Sequence, residues 1–255
     1  DLKNTMSMYA VVLVIFLAGF LFIHRVIHSP FGEVLKAIRE NEPRAISLGY
    51  KVDRYKLIAF VLSATLAAFD RVDILVNAHR FVRSSDPLDT DMDALEEMLR
   101  QNMLAGLRLS QMVAKRMIKQ AEGEGPAAQS GAIVNISTLA ARRPVLSMLG
   151  YSIACAAQEQ ATRGLALALA RHRIRVNGVS FSSVMSHELQ CALKEDPDKR
   201  AQIIAGTPLG RIAPADELSE TVHYLVSDGA RFVTGQIITV DGGRSLGDPV
   251  TAQVL

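Results

Sequence analysis

Four short runs rich in β-branched residues, Val72 to Asn77, Ala132 to Ser137, Ile174 to Phe181 and Gln236 to Val240, alternate with helical stretches, and this alternation constrains the fold most. Short continuous apolar runs of this kind suit strands buried on both faces, the setting of a parallel sheet covered by helices. Between the first two runs, Met92 to Ile118 carries a helical period, with Thr90 and Asp93 spaced as a capping box. Glu122 to Ser130 (EGEGPAAQS) reads as a polar loop. A long helix follows Tyr151 to about Arg171, and Ser182 to Thr207 reads as a polar, mobile region. Residues 70–255 are therefore expected to form an α/β domain.

The first 69 residues follow another pattern. Met6 to Ile23 is a run of 18 uncharged residues, MSMYAVVLVIFLAGFLFI. As a helix it would reach about 27 Å, close to the thickness of a bilayer's hydrocarbon core. His24-Arg25-Val26 follows the apolar run directly, which argues against a cleaved signal peptide. Seven basic residues lie between His24 and Lys56, against Lys3 alone before the run, so the loop is expected on the cytoplasmic side. A short amphipathic helix is expected around Glu33 to Arg39. Leu57 to Phe69 is apolar but too short to cross a bilayer.

A net charge of +2 leaves no basic footprint for nucleic acid. The two cysteines, Cys155 and Cys191, lie far apart without CxxC spacing, so neither a disulfide framework nor a zinc site is indicated, and a reducing compartment fits. Cys191 reads as structural. His24 and His28 could share a metal by spacing alone, but a wetted flank of the apolar run explains them as well.

Several segments are more specific. VDILVNA (from Val72), QNMLAG (from Gln101), GAIVNIST (from Gly131), IRVNGVS (from Ile174) and the tail PLGRIAPADELSETVHYLVSDGARFVTGQIITVDGG resemble, in order and spacing, the fourth strand, the helix carrying an active-site Asn, the fifth and sixth strands, and the last helix and strand of short-chain dehydrogenases/reductases. The resemblance implies a Rossmann-like doubly wound parallel sheet lacking its first three strands. It also implies NAD or NADP as cofactor, a small alcohol or ketone as substrate, and homo-oligomers formed through the helices after strands four and five. Val72 to Val76 would then be an unpaired apolar edge. Residues 1–69 resemble the permease subunit of branched-chain amino acid ABC transporters, on SPFGEVLKAIRENEPRAISLGYKVDRYKLIAFVLSATLA. That likeness implies one transmembrane helix, at about residues 6–23, and a chimera-like junction near residue 69. The readings open at this point are an oxidoreductase, a non-catalytic oligomerising scaffold, a transporter fragment and a fusion product.

In the dehydrogenase family a Tyr moves the substrate proton, a Lys four residues on lowers its pKa and holds the cofactor ribose, and a Ser on the preceding strand orients the carbonyl. The resemblance carries these roles to Tyr151, Cys155 and Thr138, and places Asn102 at the position that holds a relay water. Cys155 departs from the pattern: a thiol is uncharged at neutral pH and too short to reach a ribose. Tyr151 is then expected to titrate near the ordinary phenol value of about 10. Asn77, Tyr151, Phe181 and Ser182 fall at cofactor-binding positions. Two further departures lie among them: Asn77-Ala78-His79-Arg80 replaces the family's NNAG, and Phe181-Ser182 replaces its Pro-Gly. Arg142 and Arg143 are candidates to supply the missing charge. Residues 1–69 hold only Gly19, Gly32 and Gly49, from which no phosphate-binding turn can be built, so cofactor binding is expected to be impaired.

Overall fold

The computed structural model describes residues 71–84, 87–88, 92–123, 130–145 and 147–247. Compact units divide between Asp70 and Arg71. The apolar run Met6 to Ile23, the amphipathic stretch Glu33 to Arg39, the three early glycines and the capping residue Thr90 lie outside the described residues. Among those described, no helix is long and apolar enough to cross a membrane.

The four expected strands form, as β1 (Ile74–Asn77), β2 (Gly131–Thr138), β3 (Ile174–Phe181) and β4 (Ile237–Val240). They pair in parallel in the order β1-β2-β3-β4. Parallel neighbours need crossovers, and helices supply them. Helix α1 (Met92–Leu99), a wide π turn (Arg100–Leu104) and α2 (Ala105–Gln120) link β1 to β2. Helix α3 (Leu149–Leu169) links β2 to β3, and α4 (His187–Glu195), α5 (Pro197–Ala205) and α6 (Ala215–Val226) link β3 to β4.

Side-chain alternation sorts the two faces of the sheet. Val134 of β2 and Val179 of β3 pack with Leu225 of α6, joined by Ile136, Leu218 and Val222. The opposite face turns toward α3, where Asn135 Nδ2 donates to Thr162 Oγ1 (2.8 Å) and Ser137 Oγ to Glu159 Oε1 (3.0 Å). Arg175 is buried on the α6 face, and its guanidinium donates to the carbonyls of Leu225 (2.6 Å) and Ser227 (3.3 Å). Those carbonyls belong to the end of α6, where orphan acceptors and the helix dipole favour a cation. Among the described residues β1 pairs with β2 alone, and its Ile74 and Val76 are 50% and 41% exposed.

The region expected to be polar and mobile, Ser182 to Thr207, contains two capped helices. Ser186 Oγ accepts from the Leu189 N–H at the start of α4, and Asp196 Oδ1 accepts from the Lys199 N–H at the start of α5, where Pro197 opens the helix (both 3.2 Å). Side-chain caps satisfy orphan amides that composition alone does not reveal, which is why a polar stretch folds here. Cys191, read as structural from the sequence, is exposed on α4.

Candidate active site

All four strands end at the same edge of the sheet, with Thr138 opposite Phe181 and Phe181 opposite Val240. Ligands of open parallel sheets bind outside these carboxyl ends. The first turns of α3 bring Tyr151 and Cys155 to that edge, because residues four apart share a helix face. Tyr151 is 5% exposed and Cys155 3%, in a cluster with Ala94, Met98, Ala140 and Ala154, against which Phe81, Leu99, Ala141 and Met148 pack. The Tyr151 hydroxyl is hydrogen-bonded with both the Thr138 hydroxyl and the Cys155 thiol. Three of the four expected catalytic positions are thus brought into direct contact.

Electrostatics differ from expectation. Burial holds the Tyr151 hydroxyl well above the ordinary phenol range, the neighbouring Cys155 adds to this, and Arg80 and the Thr138 hydrogen bond oppose it. Tyr151 therefore does not titrate near 10, because desolvation acts on it in the absence of the ammonium. Burial also pushes the Cys155 thiol up to about 11, the Tyr151 hydrogen bond and Arg80 opposing, Glu159 adding.

Asn102 sits in the π turn, and its amide is engaged with one backbone residue: Nδ2 donates to the Phe81 carbonyl (2.8 Å) and Oδ1 accepts from the Phe81 N–H (2.7 Å). Such turns widen a helix and reposition a side chain. Asn77 is buried at the end of β1, where its Nδ2 lies within donor reach of Ser110 Oγ (2.9 Å), Asn135 Oδ1 (2.8 Å) and the Gly106 carbonyl (3.4 Å). A polar ladder runs on through Asn135 to Thr162. Phe181 closes β3, and the Ser182 N–H donates to the Val240 carbonyl (3.4 Å).

Arg142 and Arg143 do not supply the missing charge at Tyr151. Arg142 Nη1 donates to Thr239 Oγ1 (3.1 Å) and its Nε lies 3.5 Å from Glu159 Oε2, while Arg143 donates to the carbonyls of Arg244 (2.9 Å) and Gly247 (3.0 Å). Both reach toward the end of β4 rather than the hydroxyl. Sequence reasoning missed Glu159, and read Arg80 only as a departure from the family's NNAG. Glu159 is 4% exposed, and the available signal was its place on the stripe Tyr151, Cys155, Glu159 at four-residue spacing. It accepts from Ser137 and faces Arg142 and Arg163 (3.6 Å).

Against a nicotinamide dinucleotide, this edge fits in part. The strand ends at Asn77, Thr138 and Phe181-Ser182 lie where a cofactor can approach, but the buried Cys155 thiol, bonded to Tyr151, cannot grip a ribose. Among the described residues, no three His, Cys, Asp or Glu side chains converge as a metal site would require.

Comparison with known proteins agrees with the α/β fold. The family profile described as enoyl-(acyl carrier protein) reductase matches residues 24–245. It starts well before Asp70, so the dehydrogenase likeness reaches into the stretch read as permease-like. The chain is 32% identical to D-erythrulose reductase of Gallus gallus over 71% of this chain and 70% of that protein. It is 32% identical to the glucose and ribitol dehydrogenase homolog of Oryza sativa subsp. japonica over 83% of this chain and 71% of that protein, a share larger than residues 70–255 alone can supply. Among solved structures, a gluconate 5-dehydrogenase from Burkholderia cenocepacia in complex with NADP and tartrate aligns with TM-score 0.65 and 27% identity, over 73% of this chain and 69% of that one. Acetoin dehydrogenase from Enterobacter cloacae aligns with TM-score 0.64 and 26% identity, over 75% and 71%. With motifs, sheet and relatives in agreement, the chain belongs to the short-chain dehydrogenase/reductase family.

Proposed function

We propose that this protein is an NAD(P)-linked oxidoreductase of small alcohols and ketones whose catalysis is impaired. The observation that supports this most is the Thr138–Tyr151–Cys155 hydrogen-bonded trio at the carboxyl edge of the sheet, with a neutral buried thiol where the family pattern has an ammonium. Tyr151 gives its proton to the substrate oxygen in reduction and takes it back in oxidation. Thr138 donates a hydrogen bond that orients the same oxygen. Asn102 positions the Phe81 backbone and so shapes the pocket wall. NAD or NADP, when bound, supplies or accepts the hydride, and Asn77, Tyr151, Phe181 and Ser182 would hold it. A Tyr151 hydroxyl that holds its proton so firmly seldom offers the ionised form that alcohol oxidation needs and gives its proton up reluctantly in reduction, which fits impaired catalysis in both directions. Hydroxyketones are the substrate class favoured by the names of its relatives, which include erythrulose and xylulose reductases and an acetoin dehydrogenase.

Fluorescence titration with NADPH and NADH, followed by assay of ketone reduction, tests this reading. Wild-type protein is expected to show no saturable binding, and Cys155→Lys no restored turnover unless the dinucleotide is captured. Tight stoichiometric binding by wild type would overturn the impairment.

The 18-residue apolar run favours a second reading for the front of the chain: a membrane anchor at about residues 6–23, with the α/β domain on the cytoplasmic side. Release of the full chain by alkaline carbonate would count against it. Self-association of the α/β domain into homo-oligomers belongs to the same proposal and is read by light scattering.

A further inference from the structure

The amino-terminal edge of the sheet, opposite the candidate active site, carries a cleft that the oxidoreductase chemistry does not use. It lies where α2 ends, where β2 begins and where α3 turns into β3, and its volume is about 200 Å³. Ile118 and Ala121 form its apolar wall, and Glu122, Ser130, Arg171 and His172 supply polar lining. The Ser130 N–H donates to the Arg173 carbonyl (3.1 Å), which pins the start of β2 against the α3–β3 turn. β2 runs eight residues from Gly131 to Thr138, so the cleft lies about 23 Å from the catalytic edge.

Donors from three side chains meet there without acceptors. Ser130 is 4% exposed, and its buried hydroxyl has no hydrogen-bond partner. Arg171 Nε donates to His172 Nε2 (3.0 Å), which makes that ring nitrogen the acceptor and leaves the imidazole proton on Nδ1. Among the described residues, neither the Arg171 Nη groups nor His172 Nδ1 has a further partner. Basic residues at the end of a helix commonly serve its last carbonyls, but these two donate to none of them among the described residues. Glu122 lines the same cleft, yet it forms no ion pair with Arg171 there.

We propose that this cleft is a second binding site, for the oxyanion of a small phosphorylated or carboxylated metabolite. Ser130 donates to it from the floor, and Arg171 and His172 donate from the rim. An oxyanion offers only acceptors, so it satisfies all three side chains together and gives the buried hydroxyl its partner. A cation would leave the same donors unmet. The volume admits one such group and not a dinucleotide, which separates this site from the cofactor edge. Glu122 and the carbonyl ends of α2 and α3 oppose negative charge, so binding depends on the guanidinium.

Equilibrium dialysis of the full chain against radiolabelled inorganic phosphate at fixed ionic strength tests this. Wild type is expected to bind one phosphate per chain, saturably. Ser130→Ala and Arg171→Gln are each expected to weaken binding about tenfold, the effect of losing one hydrogen bond to a charged group. Glu122→Gln is expected to tighten it about threefold, the effect of removing a partly screened like charge. Arg143→Gln, at the opposite edge of the sheet, is expected to change nothing. Methyl phosphate and acetate as competitors tell the two sources apart: stronger displacement by the first assigns a phosphorylated ligand, by the second a carboxylated one. Absence of saturable binding by wild type overturns the proposal. Binding that Ser130→Ala and Arg171→Gln both leave intact, or that Arg143→Gln abolishes, overturns it too. Turnover enters none of these readouts, so the site stands or falls apart from the oxidoreductase reading.

Discussion

Asn102 holds Phe81 from both sides, accepting from its N–H at 2.7 Å and donating to its carbonyl at 2.8 Å, and so ties the π turn after α1 to the segment leaving β1. The carboxamide has the right length and polarity to satisfy a backbone donor and acceptor together. Asn102→Ala leaves two partly buried backbone groups unsatisfied and should cost about 1–3 kcal/mol of stability. Asn102→Asp keeps the acceptor but faces a carbonyl with a carboxylate and should be at least as damaging. Urea denaturation of both variants checks this, and a cost below a few tenths of a kcal/mol would refute the clamp.

Glu159 is buried against Ser137, Arg142 and Arg163 on the stripe that carries Tyr151 and Cys155. Glu159→Gln removes a negative charge that opposes thiolate formation at Cys155. Alkylation of Cys155 by iodoacetamide should therefore quicken in this variant. Equal rates in wild type and Glu159→Gln would show that the arginines already cancel the carboxylate.

Cys155 also links stability to pH. Its thiol ionises at about 11 in the fold against 9.0 in the unfolded chain, because burial favours the neutral form. Below pH 9 both states hold the proton and the full preference for the fold is present. Between 9 and 11 the unfolded chain loses its proton first, binds fewer protons than the native state, and stability falls as pH rises. Tyr151, also raised, acts in the same direction at higher pH. Urea midpoints measured from pH 8 to 11 should fall, and fall less steeply in Cys155→Ala. Parallel slopes for the two proteins would exclude Cys155 as a contributor.

Gly150 lets α3 approach α1 closely. A β-carbon there would lie 2.6 Å from Met98 Cε and 3.3 Å from Leu95 Cδ1. Met98 is fully buried, so Gly150→Ala forces it to shift inside a packed cluster, at about 1–3 kcal/mol. Shortening the neighbour in Gly150→Ala/Met98→Val should recover part of that loss. If the single variant is as stable as wild type, the cluster is looser than its packing implies.

The sheet was legible in the sequence because strand formation there is a local matter. The β-branched runs at 132–137 and 174–181 can be buried only between helices, and they become β2 and β3 nearly residue for residue. The four-residue spacing puts Tyr151 and Cys155 on one helix face, whereas Thr138, thirteen residues before Tyr151, joins them only because the fold brings the end of β2 against the start of α3. The ordering of Ser182 to Thr207 was not legible, because two caps at Ser186 and Asp196 outweigh a polar composition.

Charge and solvation were decided by the tertiary structure alone. Composition names Tyr151 and Cys155 but not the apolar wall of Met98, Ala140 and Ala154 that raises both their pKa values. Nor does it say that Arg142 and Arg143 turn toward β4 while Arg80, 71 positions from Tyr151 in the chain, acts on its hydroxyl. Secondary structure follows from residues within a few positions of one another, whereas desolvation and Coulomb interactions depend on distances through space that only the folded chain sets.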